Sequence, residues 1–191
     1  GLLLAASSGF VQYAYGWVQM EGDMVEAKDL ARATELRERA RKLYLRARDY
    51  GLRGLEVDFP GLRGALGRHP KAALAKTKNN HVPLLYWTAM GWAGALALKV
   101  NDSEVSADQP IVEALARRAL ELDEGWGLGS IHEFFVSWES AHSTIGGSME
   151  KAREHYDKAL FFAQGRRALP YLTYAESVCV AKQDKALFTE L

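Results

Sequence analysis

Three stretches of this chain repeat one spacing of small and bulky side chains, and that spacing restricts the fold more than any other feature. They are Ala40-Arg41-Lys42-Leu43-Tyr44-Leu45-Arg46-Ala47, Val112-Glu113-Ala114-Leu115-Ala116-Arg117-Arg118-Ala119-Leu120 and Ala152-Arg153-Glu154-His155-Tyr156-Asp157-Lys158-Ala159-Leu160. Each begins on a small or β-branched residue, has its second pattern position at +4 (Tyr44, Ala116 and Tyr156) and an alanine at +7. Steps of four and three put all three side chains on one face of an α-helix. Alanines on that face let a neighbouring helix come close, while Tyr44 and Tyr156 fill the space between helix pairs. The first residues are spaced by 72 and 40, and Ala186, 34 further on, is placed to begin a fourth copy cut by the chain end.

The rest of the chain also favours helices. It has five prolines and long runs of Ala, Leu, Glu, Lys and Arg, which are good helix formers, and period-2 strand patterns are hard to find. Apolar spacing and Gly/Pro punctuation predict helices over about 2–20, 24–49, 70–77, 83–99, 108–122, 130–143, 149–164 and 170–180, with a last one from near 183. Glu21-Gly22-Asp23 is read as a turn. Gly51, Gly54, Pro60, Gly61 and Gly64 break up an irregular insertion over about 51–82. A loop runs from Asn101 to Asp108, where Asp108 is placed to cap and Pro110 to open a helix. Gly125, Gly127 and Gly129 mark one turn and Gly146-Gly147 another. Ser148 caps the following helix, and Gly165 ends it. The repeated face is the second-helix pattern of a tetratricopeptide repeat (TPR), whose period is 34. The expectation is an all-α fold: TPR-like antiparallel helical hairpins forming a short right-handed solenoid, with residues 1–191 as a single helical-repeat domain.

Charge narrows the function. Lys plus Arg equals Asp plus Glu, at 24 each, so the basic excess of a nucleic-acid binder is missing. Its distribution is uneven: residues 24–80 carry 14 basic and 7 acidic side chains, residues 81–191 carry 10 and 15. A basic stretch of this kind is either a solvated helix face or a docking face for an acidic partner. No run of about 18 apolar residues is present, so no transmembrane helix is expected. Gly1-Leu2-Leu3-Leu4-Ala5-Ala6 resembles an export leader but lacks an initiator Met and a basic flank. It reads as the interior of a longer chain, and the C-terminus likewise reads as a cut helix. The one cysteine, Cys179, is expected to be a buried structural thiol.

No constellation points to catalysis. Five histidines occur, His69, His81, His132, His142 and His155, without the spacing of a metal site. His132-Glu133 opens like a zinc-protease helix, but Val136 stands where the second histidine belongs. No Gly-x-Ser-x-Gly elbow is present, and the glycine pairs lack the Lys-Ser/Thr of a phosphate cradle. No enzyme, cofactor or metal is expected. The aromatics are more informative. They concentrate on the proposed first helices, which line the inner face of a TPR solenoid: Tyr13 and Trp17, then Tyr86, Trp87 and Trp92, then Trp138, then Tyr171 and Tyr174. Large aromatics offer contact area at small entropy cost, so these residues, with His132, are the candidates for a binding groove; the alternative is that most of them are core.

Longer phrases coincide with the repeat. Leu3-Leu4-Ala5-Ala6-Ser7-Ser8-Gly9-Phe10-Val11-Gln12-Tyr13-Ala14-Tyr15 is one, and Ala40 to Gly54 is another. Val82-Pro83-Leu84-Leu85-Tyr86-Trp87-Thr88-Ala89, Arg118-Ala119-Leu120-Glu121-Leu122-Asp123-Glu124 and Arg166-Arg167-Ala168-Leu169-Pro170-Tyr171 follow in order. Together they resemble the T component (TatT) family of tripartite ATP-independent periplasmic (TRAP) transporters. The resemblance implies a periplasmic lipoprotein with TPR-like helices, its lipid-bearing cysteine upstream of Gly1. It also implies a homotrimer that binds the transporter's substrate-binding protein and helps hand over an apolar or organic-acid ligand. The alternative function is a generic TPR adaptor holding a peptide or protein in its concave groove.

Overall fold

The computed structural model describes residues 1–98, 105–142 and 147–191. The start of the loop expected from Asn101 and the Gly146 half of the expected glycine turn lie outside the described residues. The protein is all-α, with no strand among the described residues. Its contacts divide it into two compact units, Gly1–Leu122 and Asp123–Leu191.

In the first unit, α1 (Leu2–Tyr13) runs through a π-helical turn (Ala14–Gln19) straight into α2 (Met20–Val25). The turn expected at Glu21-Gly22-Asp23 is therefore displaced to residues 26–29. Gly22 is instead buried inside the helix, with Leu36 and Ala33 of the next helix close against it. Asp29 then caps α3 (Leu30–Glu56), accepting from the Arg32 backbone N–H at 2.9 Å. This helix continues past the expected end at 49. Gly51 and Gly54 do not break it, because a third helix lies against them: a Cβ on Gly54 would sit 2.7 Å from Leu84 Cδ2. Two short helices, α4 (Leu62–Leu66) and α5 (Pro70–Leu74), and a 3-10 turn (Asn79–His81) lie within the expected insertion. There the His81 Nδ1 accepts from the Lys78 N–H at 2.9 Å, so the proton sits on Nε2, which donates to Asp58 at 3.0 Å.

Helix α6 (Val82–Ala97) carries Pro83 in its first turn, as expected, and no charged residue. It runs antiparallel to α3, and Gly91 brings the two backbones together: a Cβ there would lie 2.9 Å from the Arg48 nitrogen and 3.1 Å from the Tyr44 oxygen. Helix α1 meets the same stretch of α3, where a Cβ on Gly51 would touch both Ser7 and Thr88, and the Ser7 hydroxyl donates to the Ala47 carbonyl at 2.9 Å. Helix α7 (Val105–Leu122) starts a turn earlier than expected, with Pro110 inside it. Asp108 therefore does not cap; its carboxylate accepts from the Trp92 indole N–H at 3.0 Å and joins α7 to α6.

The second unit is built on α8 (Trp126–Ala141) and α9 (Met149–Ala163). Gly127, Leu128 and Gly129 have left-handed backbone angles, so the regular helix begins at Ser130, matching the expected start. Ser148 caps α9, accepting from the Glu150 and Lys151 N–H groups, and the chain leaves α9 through left-handed Gln164 and Gly165. Helix α10 (Leu169–Tyr174) has Pro170 in its first turn and passes into a second π-helical stretch (Ala175–Val180); α11 (Lys185–Glu190) ends the chain. Cys179 is buried, as expected, while Ala186 on α11 is exposed.

The repeated faces now have partners. Ala40, Tyr44 and Ala47 on α3, Val112, Ala116 and Ala119 on α7, and Ala152, Tyr156 and Ala159 on α9 are all buried. Each lies on the second helix of a pair, as the spacing predicts.

Candidate partner-binding surface

Two faces of the α1–α2 helix have opposite fates. Ser7, Val11, Ala14, Val18 and Gly22 point inward, and the apolar ones pack on Leu36, Ala40 and Tyr44. Tyr44 donates its hydroxyl proton to Gln19 at 2.8 Å, and burial pushes its phenol well above the ordinary tyrosine value, so it stays neutral. The outward face carries Leu2, Tyr13, Trp17, Met20 and Met24, all exposed. Trp17 is 67 % exposed, and its ring stacks on Tyr13 with centroids 6.2 Å apart. Arg39 of α3 donates to the Tyr13 oxygen at 3.3 Å and steadies that ring. The π-helical turn lies under this face. Such turns add a residue to a helical turn and recur at functional sites. A row of exposed aromatics and methionines combines contact area with adaptable shape.

The other groove candidates divide by burial. Tyr86 and Trp92 are buried on α6, Trp92 at 7 %, with the Arg48 guanidinium 5.1 Å from its ring centre. Trp87 is half-buried and packs on the α1–α3 core. In the second unit, Trp138 is half-buried between Phe134 and His142. Tyr174 is buried, stacked on Tyr156 at 4.2 Å. Tyr171 is exposed, as are its neighbours Leu169 and Leu172. In the first unit, then, the structure brings Tyr13 and Trp17 together on open surface. The exposure of Leu2, Met20 and Met24 beside them was not anticipated. Local spacing carries no signal that this face, rather than another, stays open.

His132 is fully buried in the second unit. Its ring stacks on Phe162, and its Nδ1 lies 2.8 Å from Nδ1 of His155. Its Nε2 sits 3.2 Å from Glu124 but out of hydrogen-bond alignment, so that nitrogen is buried without a hydrogen bond. One proton is shared between the two Nδ1 atoms. If His155 donates it, His132 carries its own proton on Nε2, facing the Glu124 carboxylate rather than presenting a lone pair to it. Burial holds the His132 pKa below its ordinary value, opposed by the Glu124 charge. Glu124 itself is held low by Lys158, which donates to it at 2.6 Å.

The next residue, Glu133, is also buried, and desolvation raises its pKa against the pull of Arg167, 2.9 Å distant. Arg167 also donates to the Gly127 carbonyl and the Ser130 hydroxyl, so one guanidinium ties down the left-handed entry to α8. These groups are bound to one another rather than aimed into an open space, which is how buried charges are retained in a core. Among the described residues no group of three or more His, Cys, Asp or Glu is placed to hold a metal ion. Nor is any of their helices long and apolar enough to cross a membrane.

Paired helices with small-residue faces, one of them showing an exposed aromatic edge, define an all-α helical-hairpin protein. The chain belongs to the TRAP transporter T-component family, whose model matches residues 1–191, its whole length. It is also 27 % identical over 195 residues to a protein of Treponema pallidum (strain Nichols) described as uncharacterized. That alignment takes in 100 % of this chain and 60 % of the relative, so the chain spans less than two thirds of the length of this curated relative. The family is a transporter-associated one.

Proposed function

We propose that residues 1–191 form a TPR-like scaffold of a TRAP system that binds the transporter's substrate-binding protein through the outward face of α1 and α2. The observation that carries this reading is the stacked Tyr13–Trp17 pair, open to solvent with Met20 and Met24 beside it. An exposed apolar strip of this kind marks an interaction surface, and Trp and Tyr are the residue types that dominate binding energy. Family membership supplies the partner class. A periplasmic location, an upstream lipid anchor, trimer assembly and hand-over of an apolar or organic-acid ligand follow from the family resemblance and belong to the same proposal.

Calorimetric titration with the cognate substrate-binding protein tests it. Trp17→Ala is expected to cost about 2 kcal/mol of binding, roughly a thirtyfold loss, as a hot-spot aromatic does. Its thermal melting should be unchanged, because Trp17 is exposed. No association at high micromolar concentration, or equal affinity in wild type and variant, defeats the proposal.

A further inference from the structure

A cleft of about 470 Å³ in the first unit lies between the α4–α5 turn and α7, lined among others by Arg68, His69, Lys71, Pro110, Glu113 and Arg117. Three of these side chains are permanent cations and one is a carboxylate. That carboxylate, Glu113, already accepts from Arg117 one turn along α7 at 2.7 Å. Arg68 and Lys71 have no carboxylate within ion-pairing distance among the described residues. They also sit in the stretch 24–80, where basic side chains outnumber acidic ones by 14 to 7. Elsewhere in that stretch Arg32, Arg37, Arg41, Lys42, Arg48 and Arg63 hold carboxylates of their own. What the cleft adds is a concave wall on which two unpaired cations stand three residues apart.

We propose that this cleft receives an acidic segment of a protein partner, two of whose carboxylate side chains pair with Arg68 and Lys71. The cleft's openness argues for a segment rather than a small anion. Arg68, His69, Lys71 and Pro110 are all exposed, whereas a site for a small ligand encloses about 70–90 % of its surface. A small dianion here keeps much of its hydration and gains little. A chain segment adds contacts along the rim and draws on the positive field of the whole stretch. The site is separate from the Tyr13–Trp17 face and does not depend on it.

The test uses the full chain and a fluorescent, end-capped peptide of six glutamates. Saturable binding is expected at low salt, weakening strongly toward about 150 mM salt as screening shortens the reach of exposed charges. Arg68→Gln with Lys71→Gln should weaken it about tenfold, the worth of two exposed ion pairs. Lys28→Gln with Arg46→Gln, which removes the same charge from exposed positions elsewhere on the unit, should leave it unchanged, as should Trp17→Ala. Glutarate and inorganic phosphate should compete only at far higher concentration. Absence of saturable binding at low salt overturns the proposal. So does an equal loss in the Lys28/Arg46 variant, which makes the effect one of net charge, or a loss in Trp17→Ala, which moves the peptide to the aromatic face. Glutarate binding as tightly as the peptide also overturns it, because the cleft is then a small-anion site.

Discussion

The α3–α6 pair of the first unit and the α8–α9 pair of the second make the same close helix contact and fill it differently. Both set a glycine against the repeated face of the other helix: Gly91 within α6 against Tyr44 and Ala47, and Gly129 at the left-handed entry to α8 against Ala159. In the first pair the remaining space is apolar or closed by hydroxyls such as Thr88, which donates to the Leu84 carbonyl. In the second it holds His132, His155 and Glu133 with their partners. The charge balance differs too: the first unit has 17 basic and 14 acidic residues, the second 7 and 10. A repeated small-residue pattern sets how close two helices come, but not what the contact responds to. The first pair answers to packing alone, the second to packing and protonation.

The contrast can be broken most forcefully at Arg167. Arg167→Ala leaves Glu133 buried without its cation and frees the left-handed entry to α8. Removing one partner of a buried pair costs about 3–5 kcal/mol, and the partial exposure of Arg167 brings the expected loss to about 2–3 kcal/mol, read by chemical denaturation. Adding Glu133→Gln should recover part of it. No change in Arg167→Ala would show that the second unit's core does not depend on its charges.

Overpacking should affect both pairs alike. Ala159→Leu in the second unit and Gly91→Ala in the first each push atoms into backbone less than a side chain away, at an expected cost of about 1–3 kcal/mol. Hydrogen exchange would place each loss in its own pair. An unchanged midpoint for Ala159→Leu would mean that α9 does not meet α8 through that residue.

The smallest effect is the pH response, and it separates the pairs most cleanly. His132 has its pKa lowered in the folded protein, so the unfolded chain takes up the proton first. The stability that comes from keeping His132 neutral is complete above the ordinary histidine value of about 6.5 and is lost as pH falls below it. Glu133 has the opposite sign, since its raised folded pKa favours folding as its carboxyl becomes protonated on the acid side. Amide exchange in α8 and α9, corrected for the intrinsic rate, should therefore accelerate from pH 7 to pH 6, and His132→Gln should flatten that slope. The α3–α6 amides, once corrected for intrinsic exchange, should not share it.

Much of this was legible in the sequence. The three small-residue faces, the Ser148 cap, the left-handed turn before Ser130 and the proline starts of α6 and α10 depend on neighbours three or four residues away, and local spacing reports them. The errors occurred where a local signal met a distant partner. Gly22, Gly51 and Gly54 look like breakers, but each is a place where another helix passes close. Asp108 looks like a cap until Trp92 arrives from 16 residues earlier. Neither the shared proton of His132 and His155 nor the Arg167–Glu133 pair carries a motif, because α8 supplies one member of each and the other comes from α9 or from the loop that follows it.

The candidate surface was partly readable. Tyr13, Trp17 and Tyr171 are exposed, whereas Tyr86, Trp92, His132 and Tyr174 are buried in helix contacts, and nothing in their own segments separates the two groups. The basic stretch was visible as composition, but which cations remain unpaired was not.

The amino-acid order alone determined that the chain is helical and which helix faces pack, since backbone hydrogen bonding and a period of 3.6 act within a few residues. Only the tertiary structure decided which aromatics stay open and which cations stay unpaired. Burial and ion pairing are settled by groups that arrive from far along the chain, and no local pattern records their arrival.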